Sequence, residues 1–265
     1  MQERPSDGIR LRLPSLDELG DALGAAATVL RANAAAAGLD APVPTCPGWT
    51  VRDLVAHQGM VHRWATSHLR GTPDTEPGAF EQAGLAAPDL LGWFDDGATA
   101  LLQAIVVAPD DLAGRPFLRD APPPRLFWAR RQCHETTVHA VDALAARLGR
   151  APRPDETWIR DAIAIDGIDE LLTGFVPRAR QGVTHAPLRL LVAPMSTTRA
   201  WLLDIGPDRP PVVERLDLEA GAEVPAHDAV LTGEPVELAL RLWSRGGDPR
   251  DEVERWWTDT VSVTW

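Results

Sequence analysis

The chain has 265 residues, 45% of them hydrophobic, which can bury a substantial core and suits one large or two modest domains. Its net charge of -12 makes nucleic acid and anionic membranes unexpected partners, because binding phosphate groups requires a concentrated positive field. The two cysteines, Cys46 and Cys133, have no paired spacing and imply neither a disulfide framework nor a zinc knuckle. We find no apolar run typical of a signal peptide or a membrane span and expect a cytoplasmic protein.

The first half of the chain predicts four amphipathic helices, because apolar residues recur there at helical spacing. Ser15 and Glu18 form a capping box before the first helix, and Thr50 with Asp53 is an acidic variant of that signal before the second. A connection rich in Pro, Gly and acidic residues occupies roughly residues 71–88. The predicted helices cover about residues 16–37, 51–69, 88–107 and 125–148, and four helices of this length imply a bundle.

After residue 150 the pattern changes, and the run APRPDE marks a predicted domain boundary. We expect a helix at about residues 156–173, and Pro235 suits the first turn of another helix. Alternation with a period of two predicts strands at about residues 188–192, 200–205, 212–218 and 229–231, the first two joined as a hairpin. The predicted fold is a mainly α four-helix bundle at residues 1–150 plus a smaller α+β carboxy-terminal domain at residues 151–265.

Three potential metal ligands fall on two of the predicted helices. Glu135 and His139 are four residues apart, so their side chains point the same way and can hold one ion. His57 shares the apolar face of the second helix and should point into the core, whereas His62 is turned away by about 140° and is expected outside. His134 lies well off the face of Glu135 and is not an expected ligand. Two histidines and one carboxylate leave a position for water or substrate, which is typical of a catalytic metal site.

The residues alone also permit a simpler interpretation, in which His57 is an ordinary buried histidine and Glu135 and Asp142 are surface charges. Taking the three ligands together weakens it, because a glutamate and a histidine on the buried face of one helix both need partners. Cys133 falls on the opposite side of that helix and is expected to have no chemical role. The ligand set accepts zinc, iron, nickel or manganese.

Three segments resemble the mycothiol-dependent maleylpyruvate isomerase family. VPTCPGWTVRDLVAHQGMVHRWA resembles its opening, HETTVHAVDA its second ligand-bearing helix, and AVLTGEPVELALRLWSRG its carboxy-terminal domain, so the resemblance covers nearly the whole chain. It implies a DinB-like metal-binding bundle with His57, Glu135 and His139 as zinc ligands and mycothiol as co-substrate. It also implies that Arg245, in LWSRG, anchors substrate carboxylates. The alternative for Arg245 is a cation near a helix end that interacts favourably with the helix dipole.

The resemblance therefore implies a metal- and thiol-dependent enzyme that acts on a small electrophilic substrate, as maleylpyruvate isomerase does. A mycothiol S-transferase, used in detoxification or biosynthesis, is one alternative, and a non-catalytic metal- or small-molecule-binding protein is another. An isomerase returns the thiol, a transferase consumes it stoichiometrically, and a binding protein does neither. Thiol consumption with candidate electrophiles separates the three.

Overall fold

The computed structural model describes residues 13–73, 76–114, 116–178, 184, 186–219 and 221–261. The chain forms two compact units. The helical unit comprises Pro14–Ile159 together with Trp243–Gly247, and the sheet unit comprises Arg160–Leu242 and the residues from Asp248 on. The predicted fold class, a mainly helical amino-terminal part and a smaller α+β part, is confirmed. The domain boundary predicted at residue 150 stays a prediction.

Four long helices and one short helix form the described part of the helical unit. Both predicted capping boxes are present: the Ser15 side chain accepts from the backbone N–H of Glu18, and that of Thr50 accepts from the N–H of Asp53. The long helices are α1 (Leu16–Ala37), α2 (Val51–Leu69), α4 (Leu90–Val107) and α5 (Pro124–Leu148), and the short helix is α3 (Gly78–Leu85).

The helix α3 corrects the sequence prediction, which treated residues 71–88 as a connection without structure. Trp93 of α4 packs against Gly59 of α2 and Gly84 of α3, so closely that a Cβ at Gly84 would lie 2.7 Å from the ring. Arg63 covers the same ring, with its guanidinium carbon 3.5 Å from the ring centroid. Where a helix packs through a glycine against a large ring of another helix, it needs no apolar side chains at helical spacing. The sequence therefore did not predict α3.

The core of the helical unit is built from the apolar faces of its helices, with Leu30, Leu54 and Phe94 fully buried. The helix α4 is long and apolar enough to cross a membrane by length and composition alone. A core helix in a bundle passes the same test, and α4 packs against α2. The expectation that no membrane is a partner stays a prediction.

The described residues of the sheet unit form four strands, β1 (Leu188–Pro194), β2 (Arg199–Gly206), β3 (Arg209–Asp217) and β4 (Ala229–Gly233). Their order in the sheet is β3-β2-β1-β4. The strand β1 pairs antiparallel with β2, as the predicted hairpin requires, and parallel with β4, while β2 pairs antiparallel with β3.

The described residues of this unit also form three α-helices, α6 (Asp161–Asp169), α7 (Pro235–Leu242) and α8 (Glu252–Thr260). The helix predicted at residues 156–173 begins later, at Asp161, and continues as a π-helical segment, Glu170–Phe175. The sequence prediction did not include α8. Its start is fixed by Asp251, whose side chain accepts from the backbone N–H of Glu254.

Candidate metal centre

His57 of α2 and the pair Glu135 and His139 of α5 meet inside the helical unit. Glu135 Oε1 lies 3.7 Å from His57 Nε2 and 3.3 Å from His139 Nε2. One possible ligand atom of each residue lies within 4.8 Å of the other two. Ligand atoms around one tetrahedral zinc ion lie roughly 3.4 Å apart, so the three side chains are close enough to share an ion.

Two of these atoms lack any other partner. His57 Nε2 and Glu135 Oε1 are buried and make no hydrogen bond with the residues that the structure describes. Leaving a buried polar atom unpaired costs about 1–3 kcal/mol, so two such atoms facing each other point to a shared ligand between them. A divalent cation suits an imidazole nitrogen and a carboxylate oxygen at once, and the residues therefore fit a metal ion.

The second oxygen of Glu135 faces a cation that the sequence analysis did not identify. Arg131, fully buried one turn earlier on α5, donates from Nη2 to Glu135 Oε2 at 2.7 Å. Burial would raise the pKa of Glu135, but its contacts with His139, His57 and Arg131 outweigh this effect and hold that pKa well below its usual range. The spacing of four residues between Arg131 and Glu135 is the signal that could have revealed the pair.

Asp142 contacts the ring nitrogen of His139 that does not face Glu135. His139 Nδ1 lies 2.9 Å from Asp142 Oδ2, which leaves Nε2 turned toward Glu135. Burial would lower the pKa of His139, but the carboxylates of Asp142 and Glu135 outweigh it and raise this pKa to about 9. A carboxylate on the second nitrogen commonly orients a metal-binding imidazole. Asp142 is fully buried, so the interpretation of this residue as a surface charge was wrong.

Asp142 also binds three other side chains. Its Oδ1 accepts from Thr45 Oγ1 at 2.6 Å and from Arg245 Nε at 3.0 Å. Its Oδ2 accepts from Arg245 Nη2 at 2.9 Å and lies 3.5 Å from Cys46 Sγ. Burial would raise the pKa of Asp142, but Arg245 and His139 outweigh it and keep this pKa far below its usual range. The carboxylate that holds His139 is therefore fixed by the loop before α2 and by the segment after α7.

Cys46, His139 and Asp142 also lie close enough together to be considered as a metal site. Burial and the neighbouring Asp142 raise the pKa of Cys46 to about 12, which disfavours the thiolate form that binds metals. The guanidinium of Arg245 already neutralises Asp142. The group of His57, Glu135 and His139 is therefore the better candidate.

Arg245 lies in the helical unit, although the sequence around it follows α7 of the sheet unit. Its Nη1 donates to the backbone oxygen of Trp243 at 2.8 Å, and Nε and Nη2 donate to Asp142. Asp142 thus contacts both Arg245 and His139 and connects the two side chains. The predicted contact between Arg245 and a substrate carboxylate stays a prediction.

The expectation that His62 lies outside was wrong, because His62 is fully buried. Its Nε2 lies 2.9 Å from Thr136 Oγ1, and its ring lies 5.3 Å from that of Phe94 on α4. The helical angle correctly separated His62 from His57, but α2 is covered on this side as well. Neither His62 nor His134 belongs to a group of potential ligands within the described ranges.

Trp49 packs against both histidines of the candidate site. Its ring is stacked on that of His139, 6.0 Å between centroids, and meets His57 edge-on at 5.0 Å. Glu81 of α3 lies 4.0 Å from His57 Nδ1, too far for a direct hydrogen bond. The sequence analysis missed both residues, although Trp49 lies in the quoted segment PGWT.

The fold and the site together define a class of protein: a helical bundle with a candidate metal centre. One helix contributes a histidine to this centre, and another contributes a glutamate and a histidine. Residues 20–144 match the family model of the mycothiol maleylpyruvate isomerase N-terminal domain. These residues are therefore similar to that domain, which agrees with the resemblance seen in the sequence.

Two crystal structures of a mycothiol-dependent maleylpyruvate isomerase share the fold. The first matches with a TM-score of 0.59 and 16% identity, covering 89% of this chain and 91% of the other. The second, of a histidine-to-alanine mutant, matches with a TM-score of 0.55 and 15% identity, covering 88% and 91%. No curated protein sequence matches the chain. At these identities the likeness establishes the fold alone.

Proposed function

We propose that the protein is a metal- and mycothiol-dependent enzyme that acts on a small electrophilic substrate, as maleylpyruvate isomerase does. The observation that carries the proposal is the convergence of His57, Glu135 and His139, in which His57 Nε2 and Glu135 Oε1 are buried and have no hydrogen-bond partner among the described residues. The family match of residues 20–144 and the shared fold support it and supply the thiol.

His57, Glu135 and His139 would hold the metal ion, and three protein ligands leave one coordination position open. A divalent ion bound there, for which zinc is the first candidate, supplies a positive charge that lowers the pKa of a coordinated thiol. Asp142 keeps Nδ1 of His139 occupied, so that Nε2 is the nitrogen that would bind the ion. Trp49 limits the rotation of both imidazoles by packing on their rings.

We assign Arg245 a positioning role in this site. Its two-point contact holds Asp142, and Asp142 holds His139. The resemblance implies that Arg245 binds a substrate carboxylate directly. Such a contact would need N–H groups of Arg245 other than the Nε and Nη2 hydrogens that face Asp142.

For a substrate of the maleylpyruvate type, the sulfur of mycothiol adds to the carbon–carbon double bond, and the resulting single bond can rotate. Elimination of the thiol then restores the double bond in the trans form, so thiol is returned unchanged. In a transferase the same addition would stop at the adduct. The two activities therefore differ in how much thiol disappears for each substrate molecule.

The test is to incubate zinc-loaded protein with mycothiol and a panel of electrophiles that includes maleylpyruvate, and to measure both product and free thiol. Isomerised product with unchanged thiol supports the isomerase, and equal loss of thiol and electrophile indicates a transferase. His57→Ala is the inactive control and His134→Ala the active one. Zinc-loaded protein that neither binds mycothiol nor converts any electrophile would overturn the proposal in favour of a binding protein.

A further inference from the structure

Arg131 is a cation buried beside one of the candidate ligands. Its side chain is fully buried, and Nη2 donates to Glu135 Oε2 at 2.7 Å. Its guanidinium carbon lies 5.7 Å from the ring centroid of Trp243, which belongs to the same unit. Burying an arginine is costly, so a fully buried one next to a ligand carboxylate calls for an explanation.

The first consequence concerns how Glu135 can bind an ion. A carboxylate can coordinate a metal through one oxygen or through both. Here Oε2 accepts the hydrogen bond from Arg131, while Oε1 faces His57 and His139. Glu135 therefore offers one oxygen. A second coordinating oxygen would occupy the position that a substrate or co-substrate needs.

The second consequence concerns charge. The candidate centre contains two buried carboxylates, Glu135 and Asp142, and each is paired with a buried or nearly buried arginine, Arg131 or Arg245. These four charges cancel, and histidines bind metals in the neutral form. These residues therefore do not neutralise the charge of a bound divalent ion. That uncompensated positive charge favours an anion over a neutral molecule as the fourth ligand.

We propose that Arg131 is a positioning residue that holds Glu135 as a one-oxygen ligand and keeps the open coordination position available for an anionic thiol sulfur. The inference rests on the proposed function. It assigns to Arg131 a role in selecting the fourth ligand, beyond a contribution to folding.

The test uses cobalt in place of zinc, because the visible absorption of Co²⁺ reports the number of ligands around the ion. Arg131→Met removes the charge at similar length, and Arg131→Lys keeps the charge without the planar donor pair. Arg130→Met is the matched control, since Arg130 directly precedes Arg131 on α5, is also buried, and is turned about 100° from it. Mycothiol is then titrated into each cobalt-loaded protein.

Wild type and Arg130→Met should give the strong absorption of a four-coordinate ion, and mycothiol should change that spectrum. Arg131→Met should give the weaker absorption of a higher coordination number, and its Kd for mycothiol should rise about ten- to a hundredfold. Arg131→Lys should recover part of the thiol affinity. If Arg131→Met does not fold, the incomplete recovery by Arg131→Lys carries the test.

An Arg131→Met protein with the wild-type cobalt spectrum and the wild-type affinity for mycothiol overturns the inference and leaves the proposed function intact. If only Arg131→Lys folds, a wild-type cobalt spectrum and a wild-type affinity for mycothiol in that variant also overturn the inference and leave the proposed function intact. Wild type that binds no cobalt overturns both. Wild type that binds cobalt but not mycothiol overturns the thiol-dependent function and, with it, the role of Arg131 in thiol selection.

Discussion

Arg245 contacts Asp142 through two nitrogens, with Nε donating to Oδ1 at 3.0 Å and Nη2 donating to Oδ2 at 2.9 Å. The two residues are 103 positions apart in the sequence. Because Asp142 also holds Nδ1 of His139, this pair links the segment after α7 to a candidate metal ligand. The geometry explains how Arg245 can affect the site without touching a substrate.

If Arg245 acts through Asp142, its loss should weaken the metal site. Arg245→Ala should lower metal affinity about ten- to a hundredfold, as loss of an outer-shell partner usually does. It should also destabilise the fold by up to about 3–5 kcal/mol, because a buried carboxylate loses its cation. Competition with a chromogenic chelator measures the first effect, and denaturant unfolding measures the second.

A double-mutant cycle separates this role from substrate binding. The metal affinity of Arg245→Ala combined with Asp142→Asn should be no lower than that of Asp142→Asn alone. The exposed Arg255→Ala serves as the control for loss of a positive charge. Reduced turnover at unchanged metal affinity would instead favour the direct substrate contact.

A second prediction concerns the metal affinity of variants at the three candidate ligands. Single changes of His57, Glu135 or His139 to alanine should each reduce affinity by more than the roughly 10- to 100-fold loss typical of an outer-shell partner. His134→Ala, on the same helix as two of the ligands, should keep the metal. Elemental analysis after dialysis, expressed per folded protein, distinguishes the variants. Metal lost from His134→Ala and retained by His139→Ala would show that the ligand assignment is wrong.

A third prediction concerns stability and pH at His62. Burial, and to a lesser degree the neighbouring Arg63, lowers the pKa of His62 to about 3. In the unfolded chain this group takes up a proton below about pH 6.5, which the folded form does not do until about pH 3. The free energy of unfolding should therefore fall by about 1.4 kcal/mol per pH unit from this group as the pH drops through that window. Above that window the group contributes no pH dependence.

The variant His62→Gln can keep a hydrogen bond to Thr136 but cannot take up a proton. Its free energy of unfolding, measured by denaturant between pH 7 and pH 5, should decline less steeply than that of the wild type. The exposed His227→Gln should retain the wild-type slope. Equal slopes for His62→Gln and wild type would mean that His62 is accessible to protons in the folded state.

The Trp93 ring packs against Gly59 of α2 and Gly84 of α3, and this contact gives a fourth prediction. A Cβ at Gly59 would overlap the Trp93 ring, which Arg63 and Gly84 also hold in place. Gly59→Ala should therefore destabilise the protein by about 1–3 kcal/mol through overpacking. Gly20, in α1, has nothing within 4 Å of the same position, and Gly20→Ala should stabilise by about 0.4–1 kcal/mol.

The two glycine variants should thus shift the unfolding midpoint in opposite directions. Because a Cβ at Gly59 would displace the Trp93 ring, the near-ultraviolet circular dichroism of Gly59→Ala should also change. A Gly59→Ala protein as stable as Gly20→Ala would show that Trp93 can leave its place between α2 and α3 at little cost.

The sequence by itself determined the features that depend on one helix at a time. The spacing of Glu135 and His139 fixes both side chains on one face of α5, and the two capping boxes fix where α1 and α2 begin. These relations span only three or four residues, so the geometry of the helix decides them without help from the rest of the chain.

The tertiary structure alone decided which faces meet. His62 is correctly turned away from His57, yet it is buried because α4 brings Phe94 against that side of α2. Arg245 contacts Asp142, and Trp93 contacts glycines of two other helices, through packing between different segments of the chain. Helical periodicity reports the angle of a side chain around its own axis but carries no information about what lies opposite, and that information comes only from the packed bundle.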